Sequence, residues 1–347
     1  MNTLPASWYA DEAILAAERE RIFARSWQWV GRMDQLPQPG SYFAAEAGHV
    51  PVVVVRDQGD RLRGFVNVCR HRGHLVASGQ GCRGTLQCPY HAWTYGLDGA
   101  LRRAPRSERE EGFDPAEFSL LPVAVDRWGP FVFANPDADA PPLAQALGEL
   151  PALVAAVGVD VDRLAFRRRV EWTQAANWKV GVENYLECYH CAVNHPGLSK
   201  LIDVAPDAYG LEEHPTFSVQ RGPFRGAEQP YDAHGPVRRA QWHWLWPNVT
   251  VNIEPGPQNL SLDTWLPDGP GRLRGVTDYF FGPDARDEVA EDLIAFSQRT
   301  GAEDQGLVES VQRGLASGMV PHGRLLLSSE RLVAHFQDMV RRALNGA

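Results

Sequence analysis

The segment "CRHRGHLVASGQGCRGTLQCPYH", residues 69 to 91, contains Cys69-x-His71 and Cys88-x-x-His91, with sixteen residues between the pairs. Two thiolates and two imidazoles form a four-donor set of the kind that holds a metal. Zinc accepts such donors tetrahedrally, but zinc fingers pair Cys with Cys and His with His, whereas each loop here supplies one of each. A 2Fe–2S cluster with two thiolates on one iron and two imidazoles on the other needs that mixture, because each loop must reach both irons. Gly73, Gly79, Gly81 and Gly84 allow tight turns and close backbone approach to the sulfurs. Cys82 lies between the loops without a paired histidine and reads as a spectator. The plainer alternative is unrelated core cysteines and surface histidines.

A second cluster lies in "ANWKVGVENYLECYHCAVNHPG", residues 176 to 197, which contains Glu187-x-x-His190-x4-His195. The pattern predicts a helix over 178–191 with Glu187 and His190 on one face, ended by Pro196 so that the chain turns back near His195. Two imidazoles so placed take two corners of one metal. A carboxylate from elsewhere would complete a 2-His-1-carboxylate set with positions open for O2 and substrate. Several acids of the later half are eligible, among them Glu291, Asp292, Glu303 and Asp304, and the residues alone do not choose. Cys188 and Cys191 stand at C-x-x-C spacing, which leaves a zinc or redox reading open.

The surrounding elements must position these donors. The chain has 347 residues, 44% hydrophobic and 22% charged, enough for one large packed domain or two ordinary ones. A formal net charge of −9 argues against nucleic acid or an anionic membrane surface as partner. No apolar run approaches the roughly 18 residues of a membrane span. The start, "MNTLPASWYADEAILAAERER", does not read as a signal peptide. An odd cysteine count in ligand-like spacing suits a reduced cytoplasm. Helical spacing is expected over 11–26, and short antiparallel strands from 41 to about 137, closed by the proline-rich "ADAPPLAQ". Further strands are expected over about 163–175 and 240–282, then helices over about 284–316, broken near Gly301, and 328–344. The expected fold class is α+β, a small all-β module set inside a larger domain.

The Cys-x-His and Cys-x-x-His pairs, with "CPYHAWTYGLDGAL" as a whole, resemble the cluster domain of Rieske-type non-haem iron oxygenases. Residues 176–197 closely resemble the mononuclear iron motif of that family, and "AEDQGLVESVQRGLASG", residues 302–318, its third segment. The resemblance runs from "WYADEAILAAERERIFARSWQWVGR" to "SSERLVAHFQDMVRRAL", nearly the whole chain. It implies a Rieske 2Fe–2S cluster on Cys69, His71, Cys88 and His91, and Fe(II) on His190, His195 and Asp304, with Glu303 the neighbour most easily confused with Asp304. It implies that Asn184 lies close to the iron. It also implies that Glu187, where many ring-hydroxylating members have Asp, bridges to a Rieske histidine of a neighbouring subunit in a head-to-tail homotrimer. The implied architecture is a Rieske domain at 41–138 inserted in a helix-grip-like catalytic domain, an antiparallel sheet over a long helix, made of 1–40 and 139–347. The implied activity is that of a terminal oxygenase using O2 and NADH-derived electrons delivered by a flavin/iron–sulfur reductase. The chain has no G-x-G-x-x-G fingerprint after a strand, in keeping with a separate reductase.

Less of the sequence bears on the substrate. In "QWHWLWPNVTVNIEP", alternation puts Trp242, Trp244 and Trp246 on one strand face. They could form an aromatic cage for a quaternary ammonium, a slot for an aromatic ring or aryl acid, or ordinary core. This stretch and "ENYLECYHC" are similar to the subgroup that oxidises choline, betaines and carnitine, so hydroxylation or oxidative demethylation of such a compound is the expectation. Arg and His of "YDAHGPVRRAQWH" are candidates for holding a substrate carboxylate. Two other classes stand beside it: a Rieske electron carrier, which would leave the second and third segments idle, and a zinc-stabilised binding protein.

Overall fold

The computed structural model describes residues 1–226 and 229–346; Ala227, Glu228 and Ala347, inside the expected catalytic domain, lie outside them. The chain divides into two compact units, one of Phe23–Gln145 and one of Met1–Ile22 with the residues from Ala146 onward. Expected boundaries at 40 and 138 thus fall at 22 and 145. The first shift has a plain cause: the strand at Gln28–Arg32 hydrogen-bonds to Phe131–Asn135 and belongs with the β unit.

Helix α1 (Glu12–Arg21) starts at Asp11, whose carboxylate accepts the Ala13 N–H. The β unit then runs through β1 (Gln28–Arg32), β2 (Ser41–Ala47), β3 (Val50–Arg56), β4 (Leu62–Val66), β5 (Gln80–Cys82), β6 (Thr85–Gln87), β7 (Thr94–Gly96), β8 (Leu101–Arg103), β9 (Pro122–Trp128) and β10 (Phe131–Asn135). Seven of these form an antiparallel sheet in the order β1-β10-β9-β4-β3-β2-β5, and β6-β7-β8 form a smaller one. Val52, Val53, Val54 and Val55 are all fully buried. Val53 and Val55 join a core with Tyr42, Phe65 and Tyr95, while Val54 and Val52 pack into clusters of their own. A run apolar on both faces is what a strand covered on both sides requires.

After α2 (Leu143–Leu147) and α3 (Leu150–Ala156) the larger unit continues through β11 (Ala165–Gln174), α4 (Trp178–Tyr185), α5 (Cys191–Asn194), α6 (Pro196–Leu201), β12 (Gly210–Glu213), β13 (Phe217–Pro223), β14 (Arg239–Leu245), β15 (Val249–Ile253), β16 (Asn259–Pro267), β17 (Leu273–Phe281), α7 (Asp287–Ala316) and α8 (Leu327–Asn345). Its antiparallel sheet has the order β11-β17-β16-β15-β14-β13-β12. Helix α7 is continuous for 30 residues, which corrects the expected break near Gly301. Glycine costs helix stability but keeps its N–H, so unlike proline it does not interrupt the hydrogen-bond ladder. The core pins α4 in place. Lys179 Nζ pairs with Glu18 Oε1 at 2.5 Å, with both side chains fully buried, and Trp178 Nε1 donates to Glu18 Oε2 at 2.8 Å. Gln312 of α7 accepts the Asn177 N–H at 2.9 Å at the start of α4. Among the described residues no helix is long and apolar enough to cross a membrane.

Candidate active site

In the β unit, Cys69 follows β4 and Cys88 follows β6, and both belong to the buried core. Neither forms a disulfide. Burial pushes the Cys88 thiol up; the backbone N–H groups of Tyr90 and His91 work the other way, and the sulfur of Cys69 again raises it. Tyr95 Oη accepts the Arg70 N–H at 3.1 Å and stands 3.3 Å from Cys69 Sγ, placed to donate to it. His71 is exposed and His91 partly so, and their ring centroids are 4.7 Å apart. The turn that returns the chain between them needs Gly73 at φ +76°. Two buried thiols and two outward imidazoles on adjacent loops fit the mixed donor set that a Rieske cluster would take.

In the larger unit α4 ends at Tyr185, and Leu186 to His190 form a turn. The expected helix to 191 is therefore too long, and Glu187 and His190 do not meet by sharing a helix face. Instead Glu187 Oε2 accepts the Tyr189 N–H at 2.5 Å and the His190 N–H at 3.3 Å, and Oε1 accepts from His190 Nδ1. His195 closes α5, and Pro196 opens α6 as a first-turn proline rather than simply stopping a helix. From α7, Glu303 Oε2 accepts from His195 Nδ1 at 2.7 Å.

With both Nδ1 atoms engaged as donors, each imidazole turns its Nε2 lone pair inward. The two Nε2 atoms are 3.1 Å apart, and Asp304 Oδ1 lies 3.4 Å from that of His190 and 3.1 Å from that of His195. Acceptors facing one another this closely repel unless a proton or metal cation lies among them. Two imidazoles and one carboxylate are the donor set of non-haem Fe(II), so these residues fit the metal. Burial lowers the proton affinity of His190, but Asp304 and Glu187 outweigh it and lift its pKa to about 9. Burial pushes Asp304 up, yet the two imidazoles and Asn184 hold it at about 2. Cys191 Sγ lies within 4.8 Å of a ring nitrogen of each histidine but is bonded to Cys188. No thiolate is left there for zinc, and the fully reduced state expected from the cysteine count is corrected at this pair.

A cavity of about 360 Å³ opens on this cluster. Its wall includes Asn184 and Glu187, from the sheet Trp172, Gln220, Trp242, Asn252, Asp263, Trp265 and Tyr279, and Glu254 just beyond β15. Of the three expected tryptophans, Trp242 reaches it. Trp244 is fully buried against Phe336 of α8, and Trp246 lies beyond β14. One strand face serves as cavity wall at one end and as core at the other, which alternation cannot tell apart. His234, Arg238 and Arg239 are exposed and His243 is buried away from the cavity, so none of the expected carboxylate holders lines it. Gly275 stands across from both Trp172 and Trp265. A Cβ there would fall 2.1 Å from Trp172, so the glycine lets the two rings meet edge to face at 4.9 Å. Glu254, Trp172 and Trp265 are site residues that the sequence reading does not name, and Glu303, eligible there as a metal carboxylate, instead orients His195 from behind. A usable signal exists over residues 251–254 and 262–265, where Asn252, Glu254, Asp263 and Trp265 alternate with Val251, Ile253, Leu262 and Thr264.

Residues 26–123 match the Rieske 2Fe-2S domain and residues 161–346 the catalytic domain of the ring hydroxylating alpha subunit. Fold, donor sets and both matches place the chain in the family of Rieske non-haem iron oxygenases, as an α subunit, and it is an oxidoreductase whose cofactors are a 2Fe–2S cluster and a mononuclear iron. Within that family it is 34% identical over 349 residues to the carnitine monooxygenase oxygenase subunit of Acinetobacter pittii, covering 97% of this chain and 94% of that one. It is 32% identical over 351 residues to the chloroplastic choline monooxygenase of Spinacia oleracea, covering 99% and 78%. The structure of the quaternary ammonium Rieske monooxygenase CntA with L-carnitine superposes with a TM-score of 0.85 at 32% identity, covering 99% of this chain and 95% of that one.

Proposed function

We propose that this oxygenase hydroxylates or oxidatively demethylates a small quaternary ammonium compound of the choline, betaine or carnitine type. The observation that carries the reading is the aromatic wall of Trp172, Tyr185, Tyr209, Trp242 and Trp265 around the cavity that contains His190, His195 and Asp304. Ring faces attract a cation that offers no N–H to hydrogen-bond. Relatives named for carnitine and choline oxidation support it.

We assign Cys69, His71, Cys88 and His91 to the cluster and His190, His195 and Asp304 to the iron. When bound, the cluster supplies electrons and the iron supplies the centre at which O2 is activated. The chain's own residues do the positioning. Glu187 holds the Nδ1 proton of His190 and Glu303 that of His195, which fixes both tautomers and aims both Nε2 atoms inward. The aromatic wall excludes water and presents the substrate's methyl groups to the metal side of the cavity. The reading extends to a head-to-tail homotrimer in which Glu187 also reaches a Rieske histidine of the neighbouring subunit, to a flavin/iron–sulfur reductase that draws on NADH, and to a cytoplasmic setting.

An NADH-oxidation screen with a surrogate reductase, corrected for released peroxide, tests it. Choline, betaines and carnitine are expected to give product. Turnover confined to aryl acids would move the chain to the ring-hydroxylating reading.

A further inference from the structure

The acids on the cavity wall are not equivalent. Glu187 and Asp304 face the two histidines. Asp263 accepts from Thr250 Oγ1 at 2.7 Å, from Asn252 Nδ2 at 2.6 Å and from Thr277 Oγ1. Glu254 differs. Its Oε1 accepts from Trp242 Nε1 at 2.9 Å, while Oε2 is buried with no hydrogen-bond partner. Its backbone is clamped just beyond β15: the Glu254 N–H donates to Asn259 Oδ1 at 3.0 Å, and the Glu254 carbonyl accepts from Asn259 Nδ2 at 2.8 Å. The side chain is therefore held where it stands. Beside it, Trp242 stacks on Tyr209 with centroids 6.2 Å apart and planes 22° from parallel, and both rings line the cavity.

A buried carboxylate oxygen without a partner is costly unless the group is neutral or a cation lies next to it. Burial pushes the Glu254 carboxyl up to about 7, with the Trp242 indole N–H opposing. A neutral substrate would leave that cost in place, and a positive one would remove it. The neighbouring rings of Trp242 and Tyr209 add aromatic surface to the same corner. An ammonium group of either kind supplies the counter-charge, and the preference for a quaternary one rests on the aromatic lining of the cavity.

We infer that Glu254 is the counter-charge that seats the substrate's ammonium group against Trp242 and Tyr209, and so is a specificity-determining residue of this cavity. The inference rests on the quaternary ammonium reading and names the residue that enforces it.

Calorimetric binding to the anaerobic, iron-loaded protein tests it, with choline against its carbon isostere, in which a quaternary carbon replaces nitrogen. The wild-type protein is expected to bind choline roughly tenfold or more tightly than the isostere. Glu254→Gln keeps an acceptor for Trp242 and removes the charge, and should bring the two affinities close to equal, mainly by weakening choline. Glu254→Asp, which keeps the charge one methylene further back, should restore part of the preference. A wild-type preference for choline that survives unchanged in Glu254→Gln would overturn this inference and leave the substrate reading standing. No preference in the wild-type protein would overturn the substrate reading, and this inference with it.

Discussion

His195 Nδ1 lies 2.7 Å from Glu303 Oε2, while its Nε2 lies 3.1 Å from Asp304 Oδ1. Consecutive acids on one helix thus address opposite nitrogens of one ring. The arrangement separates their roles: Asp304 shares the metal-side cluster, and Glu303 orients the imidazole from behind. Asp304→Ala should lower iron from about three to about two per chain and leave the Rieske absorbance intact. Glu303→Gln should keep three irons at saturation but weaken iron affinity by about 10–100-fold, read by chelator competition. Equal iron loss in the two variants would erase the distinction.

His190 and Glu187 separate metal binding from electron delivery. His190→Ala should retain the Rieske spectrum and form no product. Glu187→Ala should retain both metals, since Glu187 touches the ring rather than the metal side of His190, and slow electron transfer severely. Normal turnover by Glu187→Ala would remove its proposed bridging role.

Iron affinity should rise with pH. The metal needs the free Nε2 lone pair of His190, whose pKa without metal is held at about 9 by Asp304 and Glu187 against the effect of burial. Below that value loading displaces a proton, so the apparent affinity should climb about tenfold per pH unit through neutrality and level off near pH 9. An affinity flat from pH 6 to 9 would contradict the assignment.

Glu183 should make stability fall between its unfolded and folded pKa. Burial pushes its carboxyl up to about 7 although Tyr9 Oη and Gln337 Nε2 donate to it. The folded chain then binds more protons than the unfolded chain between about pH 4.5 and 7, so stability declines as pH rises through that window, by roughly 3 kcal/mol at most. Urea denaturation of Glu183→Gln should show a shallower decline than wild type over the same range.

Gly181 tests how the wall is packed. A Cβ there would meet the Trp265 ring at 2.7 Å and Leu273 at 3.0 Å. Gly181→Ala should therefore push the indole into the cavity, cost about 1–3 kcal/mol of stability and raise KM for the preferred substrate more than it lowers kcat.

The local part of this protein was legible in its sequence. Cys69-x-His71 and Cys88-x-x-His91 are legible as the donor set proposed for the cluster because both pairs lie in short loops, where spacing fixes reach. Glu187, His190 and His195 lie within nine residues, and Pro196 marks the bend, although α4 ends at Tyr185, short of the expected 191. Alternation found most strands of the sheet, and the helical period found α7 and α8.

What required the folded chain was every relationship across distance. Asp304 meets His195 across 109 positions because Gln312, eight residues further along α7, ties that helix to Asn177 at the head of α4. Alternation placed Trp242 and Trp244 on one face, and tertiary packing made one a cavity wall and the other core. Glu254 read as one acid among forty-three Asp and Glu residues; the walls around it decided that one of its oxygens is buried without a partner. Sequence determines which donors exist and which are close along the chain, because backbone geometry is short-ranged. Charge state, exposure and ligand set depend on the groups folding brings alongside, and no local pattern carries that information.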